Sequence, residues 1–181
     1  EVVVLGEMGI GNTSAASLVS AATLGIPVGE LVGRGTGVDD AGLARKREVL
    51  LRAAARLPER VGGAEALREV GGFELAVMAG AMVGAARARR LVLVDGFVAT
   101  AAAVAALDLE PGIRPALVFC HRSAEAGHGR VLDALGATPL LDLGMRLGEG
   151  TGALLAVPLV RAAAALLRDM ASLADLGIGE P

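Results

Sequence analysis

Aromatic side chains are scarce in this sequence. Its 181 residues include three phenylalanines, no tryptophan and no tyrosine. Proteins that bind single-stranded nucleic acid stack bases on aromatic side chains and follow the backbone with positive charge. The net charge here is −3, and the arginines are mixed with acidic residues along the chain. The composition therefore argues against a nucleic acid partner.

Cysteine is almost absent as well. Cys120 is the single cysteine, so no internal disulfide bond can form, and a reducing compartment is expected. The first residues show neither the basic segment nor the cleavage site of a secretory signal peptide. Arg161 and Arg168 interrupt the apolar C-terminal stretch 151–177, which favours a packed helix over a membrane span. We expect a soluble cytoplasmic protein with no membrane partner.

Aliphatic residues supply the core that the aromatic residues cannot. Hydrophobic residues make up 54% of the chain, chiefly Ala, Val, Leu and Ile. Continuous apolar runs predict buried strands over 2–5, 91–96 and 115–120, with helices between them. Buried strands that alternate with helices are typical of an α/β protein with a parallel sheet covered on both faces. The length fits a single domain over residues 1–181.

Capping residues and breakers predict where the helices begin and end. The first helix is expected to start near Asn12 or Thr13, either of which can cap free N–H groups, and to end near Gly25. Asp39 and Asp40 suit the start of the next helix. Helices are predicted over 41–57, 64–70, 73–90, 99–107 and 123–136, with a long final helix after 148–152. Residues 139–144 are predicted to be a short strand or an extended segment.

Four loops are expected to meet at one edge of the sheet. In an open parallel sheet the ligand lies beyond the carboxyl ends of the strands. The loops that leave those ends, or lie beside them, cover 6–14, 95–100, 120–125 and 144–152. Residues that carry chemistry are therefore sought in these loops.

The first loop differs from the common phosphate loops. Its glycines at 6, 9 and 11 give G-x-x-G-x-G, the reverse of the dinucleotide order, and Asn12 stands where a nucleoside-triphosphate loop needs lysine. A glycine loop before a helix can still bind an anion through its backbone N–H groups. A tight strand-to-helix turn without a ligand explains the same residues, so both interpretations stay open.

A second glycine loop precedes the second helix. Gly33, Gly35 and Gly37, with Thr36, can wrap a phosphate through backbone N–H groups. Lys46, about two turns into the following helix, can supply a point charge. A solvated lysine is the alternative, although Lys46 is the single lysine of an arginine-rich chain, which favours a functional role.

Two carboxylates lie among glycines at the same predicted edge. Arg146 and Glu149 share a short loop, in which Glu149 has a glycine on each side, and Glu7 follows Gly6 in the first loop. A carboxylate near a helix N-terminus is usually there for electrostatic reasons alone. Flanking glycines nevertheless let a ligand approach closely, and paired carboxylates suit acid–base catalysis or stabilisation of a cationic transition state.

The cysteine and the two histidines predict little chemistry. Cys120 and His121 are neighbours on a strand, so their side chains point to opposite faces and are not expected to form a nucleophile–base pair. We expect a core cysteine and a hydrogen-bonded histidine. Ser123 is a candidate cap for the next helix, and His128 on that helix is expected at the surface. These residues lack the spacing of metal ligands, so no metal site is predicted.

Six segments taken together resemble one enzyme family. They are "GEMGIGNTSAAS", "VGRGTGVDD", "VGGFELAVMAGAM", "LVDGFVATAAA", "CHRSAEAGH" and "LLDLGMRLGEGTGA". In this order they are similar to nicotinate-nucleotide–dimethylbenzimidazole phosphoribosyltransferase. The resemblance runs from residue 1 into the C-terminal region and covers roughly the C-terminal half of a family chain. That agrees with a chain that starts inside a strand and without methionine, and we expect the family's N-terminal part to be lacking.

The resemblance implies a fold and a reaction. The implied fold is a Rossmann-like parallel α/β domain, with the C-terminal helix contributing to a small helical subdomain, in a homodimer. The implied reaction transfers the phosphoribosyl group of nicotinate mononucleotide to 5,6-dimethylbenzimidazole. It gives α-ribazole 5′-phosphate and nicotinate, with inversion at the ribose C1′, in cobalamin nucleotide-loop assembly. The implied partners are these small molecules, and no cofactor is implied.

The resemblance also implies the site residues. Glu149 matches the family's general base, and Glu7 matches a second active-site carboxylate. Leu147 is expected near the aromatic bases, and much of the benzimidazole pocket belongs to the N-terminal part of a family chain. Further positions match those around the nucleotide, chiefly its phosphate and ribose: Gly9, Gly35, Thr36, Gly37, Lys46, Ser123, Arg146 and Gly148.

Two other functions account for part of these features. A nucleotide-binding module without catalysis would keep the glycine loops and Lys46 but would not need Glu149. A nicotinamide-dinucleotide dehydrogenase is weakened by the order of the glycines in the first loop.

Overall fold

Three parallel strands form one sheet in the computed structural model, which describes residues 1–172 and 175–177. The strands are β1 (Val2–Leu5), β2 (Leu91–Asp95) and β3 (Leu117–His121), in the order β1-β2-β3. Strand β1 pairs with residues 91–94 of β2, and β3 pairs with the other side of β2. The predicted parallel sheet is confirmed. Residues 173–174 and 178–181, which the predicted domain 1–181 includes, lie outside the described residues.

Helices connect the strands and follow the last one. In chain order they are α1 (Thr13–Leu24), α2 (Asp40–Ala54), α3 (Gly63–Val70), α4 (Phe73–Arg87), α5 (Gly96–Leu109), α6 (His128–Ala134) and α7 (Thr151–Asp169). Short 3₁₀ turns cover Val28–Glu30 and Pro111–Ala116. Gly25 ends α1 in the left-handed conformation, and the Asp39 side chain caps α2 by accepting a hydrogen bond from the Gly42 N–H at 2.7 Å, as the sequence predicts.

Helices cover both faces of the sheet. On one face, alternate residues of β2 and β3 such as Val92 and Phe119 join a large cluster with α1, α3, α4 and α5. On the other face, Leu93 and Cys120 pack against Ala153 and Ala156 of α7. Each strand is therefore apolar on both sides, which explains the continuous Val/Leu runs in the sequence.

Two helices start at other residues than predicted. Helix α5 starts at Gly96, directly after β2, rather than near residue 99. Helix α6 starts only at His128, because residues 123–127 form turns instead of the predicted first helical turn. Of the two alternatives for residues 139–144, the short strand is not observed: the segment contributes one isolated bridge, between Leu141 and His121.

Helix α7 is long and apolar enough to span a membrane by length and composition, and 17% of its most apolar window is buried in the structure. Its first turns pack on the sheet through Gly152, Ala153 and Ala156. The remaining turns are mostly exposed. Helix α7 is thus a packed helix at its start only, and a contribution of its exposed part to a helical subdomain stays a prediction.

Candidate active site

A cleft lies at the carboxyl ends of the strands, where the four loops meet as predicted. The cleft spans about 470 Å³ of space, including its open mouth. Eight of the predicted site residues line it, namely Glu7, Gly9, Gly35, Thr36, Ser123, Arg146, Leu147 and Gly148. Gly37, Lys46 and Glu149 are not among the lining residues, although each is adjacent in sequence or bonded to one that is.

The loops that carry the two glutamates are joined through their backbones. The Glu149 N–H donates to the Glu7 carbonyl at 3.0 Å. A Cβ on Gly6 would lie 2.1 Å from the Gly150 nitrogen, and a Cβ on Gly148 would lie 2.2 Å from the Glu7 carbonyl oxygen. These two glycines therefore allow one loop to pack on the other. Sequence reasoning expected a ligand to approach here, whereas the neighbour is the opposite loop.

Glu149 has an unusual backbone conformation. Its φ is +60°, between two glycines that also have positive φ, and Arg89 is the one other non-glycine residue with positive φ among those described. A glutamate in this region is strained, and such residues cluster at functional sites. The Glu149 side chain is exposed, whereas that of Glu7 is half-buried and accepts a hydrogen bond from the Gly9 N–H.

Lys46 reaches back from α2 to the first loop. Its Nζ donates to Thr13 Oγ1 at 2.8 Å and to the Gly33 carbonyl at 3.0 Å. Burial lowers the pKa of Lys46, and the nearby Glu125 carboxylate opposes that shift. Lys46 is thus half-buried between the two glycine loops, and the interpretation as a freely solvated lysine is wrong.

Neither residue predicted to cap α1 is seen to do so through its side chain. The Asn12 side chain makes no capping hydrogen bond, and its Oδ1 has no hydrogen-bond partner in the described part of the chain. Thr13 Oγ1 accepts from Lys46 instead. Thr13, one of the two residues expected to cap the helix, therefore lines the cleft instead.

Side chains from two other loops hold the second glycine loop. The Gly35 N–H donates to Glu125 Oε1 at 2.9 Å, and Arg146 donates to the Gly35 carbonyl at 3.0 Å. Arg34 closes the loop further along by donating to the Val38 carbonyl and pairing with Asp40. The Gly35 N–H, which sequence reasoning assigned to a phosphate, is thus bonded to a carboxylate.

Sequence reasoning missed Asp95 and Glu125. Asp95, the last residue of β2, is buried at the base of the cleft. Burial raises its pKa, while His121 and the backbone N–H groups of Gly150, Gly152 and Ala153 oppose that shift. The carboxylate therefore faces the N-terminus of α7, where a negative charge is favourable. Its position at the end of a predicted strand, before a glycine, was the available signal.

Cys120 and His121 behave as separate groups. Burial raises the pKa of the Cys120 thiol to about 12, with a smaller contribution from Asp95, so the predicted core cysteine is confirmed. His121 is buried in the cleft, where its Nδ1 lies 3.8 Å from Asp95 Oδ1, too far for a hydrogen bond. Its Nε2 has no partner in the ranges that the structure describes, so the expected hydrogen-bonded histidine is not observed.

The predictions for Ser123 and His128 were wrong in an informative way. Ser123 lies five residues before α6 and does not cap it, although its side chain lines the cleft. His128 is fully buried rather than at the surface. The Ser123 N–H donates to His128 Nδ1 at 2.8 Å, so the two residues are parts of one buried contact.

The residues in and beside the cleft offer two kinds of chemistry. Lys46, Arg146 and the glycine loops offer positive charge and N–H donors suited to a phosphate. Glu7 and Glu149 offer carboxylates on joined loops, suited to taking up a proton or stabilising positive charge. Within the described residues, no group of three or more His, Cys, Asp or Glu side chains could hold a metal ion.

Comparison with known proteins points to one enzyme family. A family profile described as phosphoribosyltransferase matches residues 1–178. The chain is 54% identical to the nicotinate-nucleotide–dimethylbenzimidazole phosphoribosyltransferase of Dechloromonas aromatica (strain RCB), over 99% of this chain and 52% of that protein. It is 53% identical to the protein of that name from Ralstonia nicotianae, over 99% and 51%. The chain thus spans about half the length of the curated relatives it matches.

Solved structures agree in fold as well as sequence. The crystal structure of CobT from Thermus thermophilus matches 97% of this chain and 53% of its own, with a TM-score of 0.87 and 49% identity. A second structure from that organism, named as the dimethylbenzimidazole phosphoribosyltransferase, matches with a TM-score of 0.85 and 46% identity over 97% of this chain and 52% of its own. The α/β fold class and the resemblance drawn from the six segments are confirmed. This chain belongs to the nicotinate-nucleotide–dimethylbenzimidazole phosphoribosyltransferase family.

Proposed function

We propose that this chain binds the phosphoribosyl group of nicotinate mononucleotide and transfers it to 5,6-dimethylbenzimidazole. The products are α-ribazole 5′-phosphate and nicotinate, in the assembly of the lower-ligand nucleotide of cobalamin. The main support is the joined pair of loops, which holds Glu149 in a strained conformation with its N–H on the Glu7 carbonyl. A catalytic role for Glu149 gives that strain a reason, whereas a module that only binds nucleotides has no need of it.

The leaving group and the nucleophile define what the carboxylates must do. Nicotinate leaves from a positively charged pyridinium, so its departure needs no strong acid. One benzimidazole nitrogen attacks C1′, and the proton on the other nitrogen must be removed. We assign that removal to the Glu149 carboxylate, which is exposed and free of hydrogen bonds among the described residues. Glu7 is assigned to the positive charge that develops on the ribose as the glycosidic bond weakens.

The phosphate and ribose are assigned to the glycine loops and the basic side chains beside them. Lys46 Nζ sits between the two glycine loops, and Arg146 contacts the second loop at the Gly35 carbonyl. Gly9, Thr36, Gly37, Ser123 and Gly148 complete the proposed phosphate and ribose contacts, with Leu147 near the base. Binding energy from this remote end aligns C1′ with the attacking nitrogen, so that it contributes to turnover as well as affinity.

We extend the proposal to the domain, the compartment and the assembly of the enzyme. Residues 1–181 act as a single α/β domain, and the length that the relatives have in addition supplies much of the benzimidazole pocket. The enzyme works in the cytoplasm as a homodimer, with no nucleic acid or membrane partner and no cofactor. Sedimentation showing a monomer at high concentration would count against the dimer.

The proposal is tested by product formation. The chain is incubated with nicotinate mononucleotide and 5,6-dimethylbenzimidazole, and α-ribazole 5′-phosphate is sought by NMR. Glu149→Gln is expected to lower turnover by about 10²–10⁴-fold, because the amide cannot accept the proton. Its affinity for nicotinate mononucleotide, measured by calorimetry, is expected to stay within about threefold of the unmodified chain, since Glu149 is assigned no phosphate contact.

Glu48→Gln is the matched control. The Glu48 side chain is exposed on α2 and makes no hydrogen bond in the described part of the chain. This change should therefore affect neither turnover nor binding. Near-normal turnover of Glu149→Gln would refute the assignment of the base. Tight binding of nicotinate mononucleotide with no release of nicotinate would favour the non-catalytic nucleotide-binding module instead.

A further inference from the structure

A buried histidine lies behind the wall of the cleft and takes no part in the chemistry proposed above. His128 is the first residue of α6 and is fully buried. Its ring lies with its edge towards Phe97 of α5, with ring centroids 6.2 Å apart. Both ring nitrogens make hydrogen bonds, one towards α5 and one towards the loop that follows β3. A buried imidazole whose two nitrogens are both hydrogen-bonded connects the two elements that supply its partners, here α5 and the loop after β3.

The hydrogen bonds fix which nitrogen carries the proton. The Ser123 backbone N–H can only donate, so His128 Nδ1, 2.8 Å away, must be the acceptor. A neutral ring then carries its proton on Nε2, which donates to Thr100 Oγ1 at 2.9 Å. The Thr100 hydroxyl in turn donates to the Gly96 carbonyl at 2.7 Å. Every donor and acceptor in this series is satisfied by the neutral Nε2–H tautomer.

The same series continues from Ser123 to the glycine loop. Ser123 Oγ accepts from the Glu125 N–H at 3.2 Å, and the Glu125 carbonyl accepts from the His128 N–H at 3.0 Å. Glu125 Oε1 then accepts from the Gly35 N–H at 2.9 Å. Gly33 packs so closely that a Cβ there would lie 2.1 Å from Glu125 Oε1. The position of Glu125 therefore constrains the shape of the loop 33–37, in addition to the contacts from Arg34, Lys46 and Arg146.

We infer that His128, held neutral with its proton on Nε2, is a positioning residue that fixes the turn 123–125 and, through Glu125, the glycine loop 33–37. This inference rests on the proposed function, in which that loop and Ser123 hold the phosphate and ribose. His128 touches no substrate. It links the buried helix α5 to two loops, and thereby reduces the conformational entropy that those loops would otherwise lose on binding.

Protonation of the ring would oppose this arrangement. A second proton on Nδ1 would face the Ser123 N–H, so two donors would meet with no acceptor between them. Burial lowers the pKa of His128 to about 3, and electrostatic interactions with His121 and Arg122 add to that shift. The hydrogen-bonded series therefore stays in one protonation state throughout the neutral range.

His128→Gln and His128→Leu test the inference together. The two ends of a glutamine amide can accept from the Ser123 N–H and donate to Thr100, whereas leucine fills the space without hydrogen bonds. We expect His128→Leu to raise the dissociation constant and the KM for nicotinate mononucleotide about tenfold or more, with a smaller change in kcat. His128→Gln is expected to stay within about threefold of the unmodified chain.

Val131→Ala is the matched control for lost stability. Val131 is fully buried on the same helix but has no side-chain hydrogen bond to the turn. It should lower the melting temperature while leaving nucleotide binding unchanged. A His128→Leu chain that is folded and binds nicotinate mononucleotide as tightly as the unmodified chain would refute the positioning role. If His128→Leu and Val131→Ala have the same melting temperature and lose the same affinity for nicotinate mononucleotide, the positioning role is refuted too.

Two readouts keep this test separate from the proposed function. Proton–nitrogen correlation spectra should show the His128 ring as the neutral Nε2–H tautomer from about pH 6 to pH 8, and an Nδ1–H or charged ring would refute the inference. Hydrogen exchange should quicken in 33–37 and 123–125 of His128→Leu but not of His128→Gln. If the unmodified chain does not bind the nucleotide, the proposed function fails, while the tautomer and the exchange rates still decide the role of His128.

Discussion

Helices α5 and α7 are both built largely from alanine, leucine and valine, yet they differ in what surrounds them. Residues 96–106 of α5 are buried without interruption, between the sheet on one side and α1, α3 and α4 on the other. Helix α7 buries Gly152, Ala153 and Ala156 and leaves Leu166 and Leu167 exposed to 60% and 90%. An apolar sequence therefore indicates that a helix can be buried, while the number of neighbours decides whether it is.

The difference explains why the site is built where it is. Helix α5 follows β2 without a loop and carries Gly96, Phe97 and Thr100 into fixed contact with the cleft and with His128. Helix α7 supplies only its N-terminus, where its N–H groups face Asp95. The rigid side of the sheet thus holds the loops in place, and the other side contributes one helix end.

The largest effect is expected from one substitution placed in both helices. Ala105→Leu in α5 should lower the free energy of unfolding by about 3 kcal/mol or more, because Ala105 is fully buried and packs against Gly63. Ala163→Leu in the exposed part of α7 should change it by less than about 0.5 kcal/mol. Urea denaturation measures both, and a similar loss in the two variants would contradict the contrast between the helices.

A somewhat smaller loss of stability is expected when the pH is lowered, because His128 is buried against α5. The folded pKa of His128 is lowered to about 3, so the unfolded chain binds the extra proton first as the pH falls below about 6.5. The stabilisation is complete above that pH and is lost progressively towards pH 3. Between pH 7 and pH 4.5 the loss should be roughly 2–3 kcal/mol, at about 1.4 kcal/mol for each pH unit.

His128→Gln isolates this contribution from that of the carboxylates, which both chains share. The pH dependence of its unfolding free energy should be shallower by the same amount over the same range. Parallel curves for the two chains would show that His128 already titrates near its ordinary pKa in the fold.

The smallest effect is expected at the exposed end of α7. Leu166→Gln and Leu167→Gln should each change the free energy of unfolding by less than about 0.5 kcal/mol, because both side chains are mostly exposed. Leu75→Gln, at a fully buried position of α4, is the matched control and should cost several times more. A large loss at Leu167 would show that α7 is covered in solution.

Most of the fold follows from local patterns in the sequence. The strands β1–β3 were predictable because parallel strands buried on both faces must be apolar throughout. Helix α6 was predicted too long, since Ser123, Ala124 and Glu125 suit a helix start by composition. In the structure the Ser123 N–H is bonded to His128, a contact that competes with the helical turn and cannot be read from propensity.

The site was predictable in its position and less so in its contacts. The glycine loops and the two glutamates lie at the edge of the sheet where topology requires them. Glu125 was missed because its partner, Gly35, lies 90 residues away in the sequence. Asp95 was missed because its carboxylate interacts with the N-terminus of α7, which is distant in the sequence. His128 was expected at the surface of its helix because its buried partners, Thr100 and the Ser123 N–H, cannot be read from the local sequence.

Under the proposed function, the backbone of Glu149 implies a trade-off between stability and activity. Glycine would adopt its φ of +60° without strain, and non-glycine residues in sparsely populated regions of this kind lose about 1–3 kcal/mol. Selection for fold stability alone would therefore favour glycine there, in a run that already contains Gly148 and Gly150. A lineage that lost the need for the reaction would be free to drift towards a more stable and inactive loop at this position.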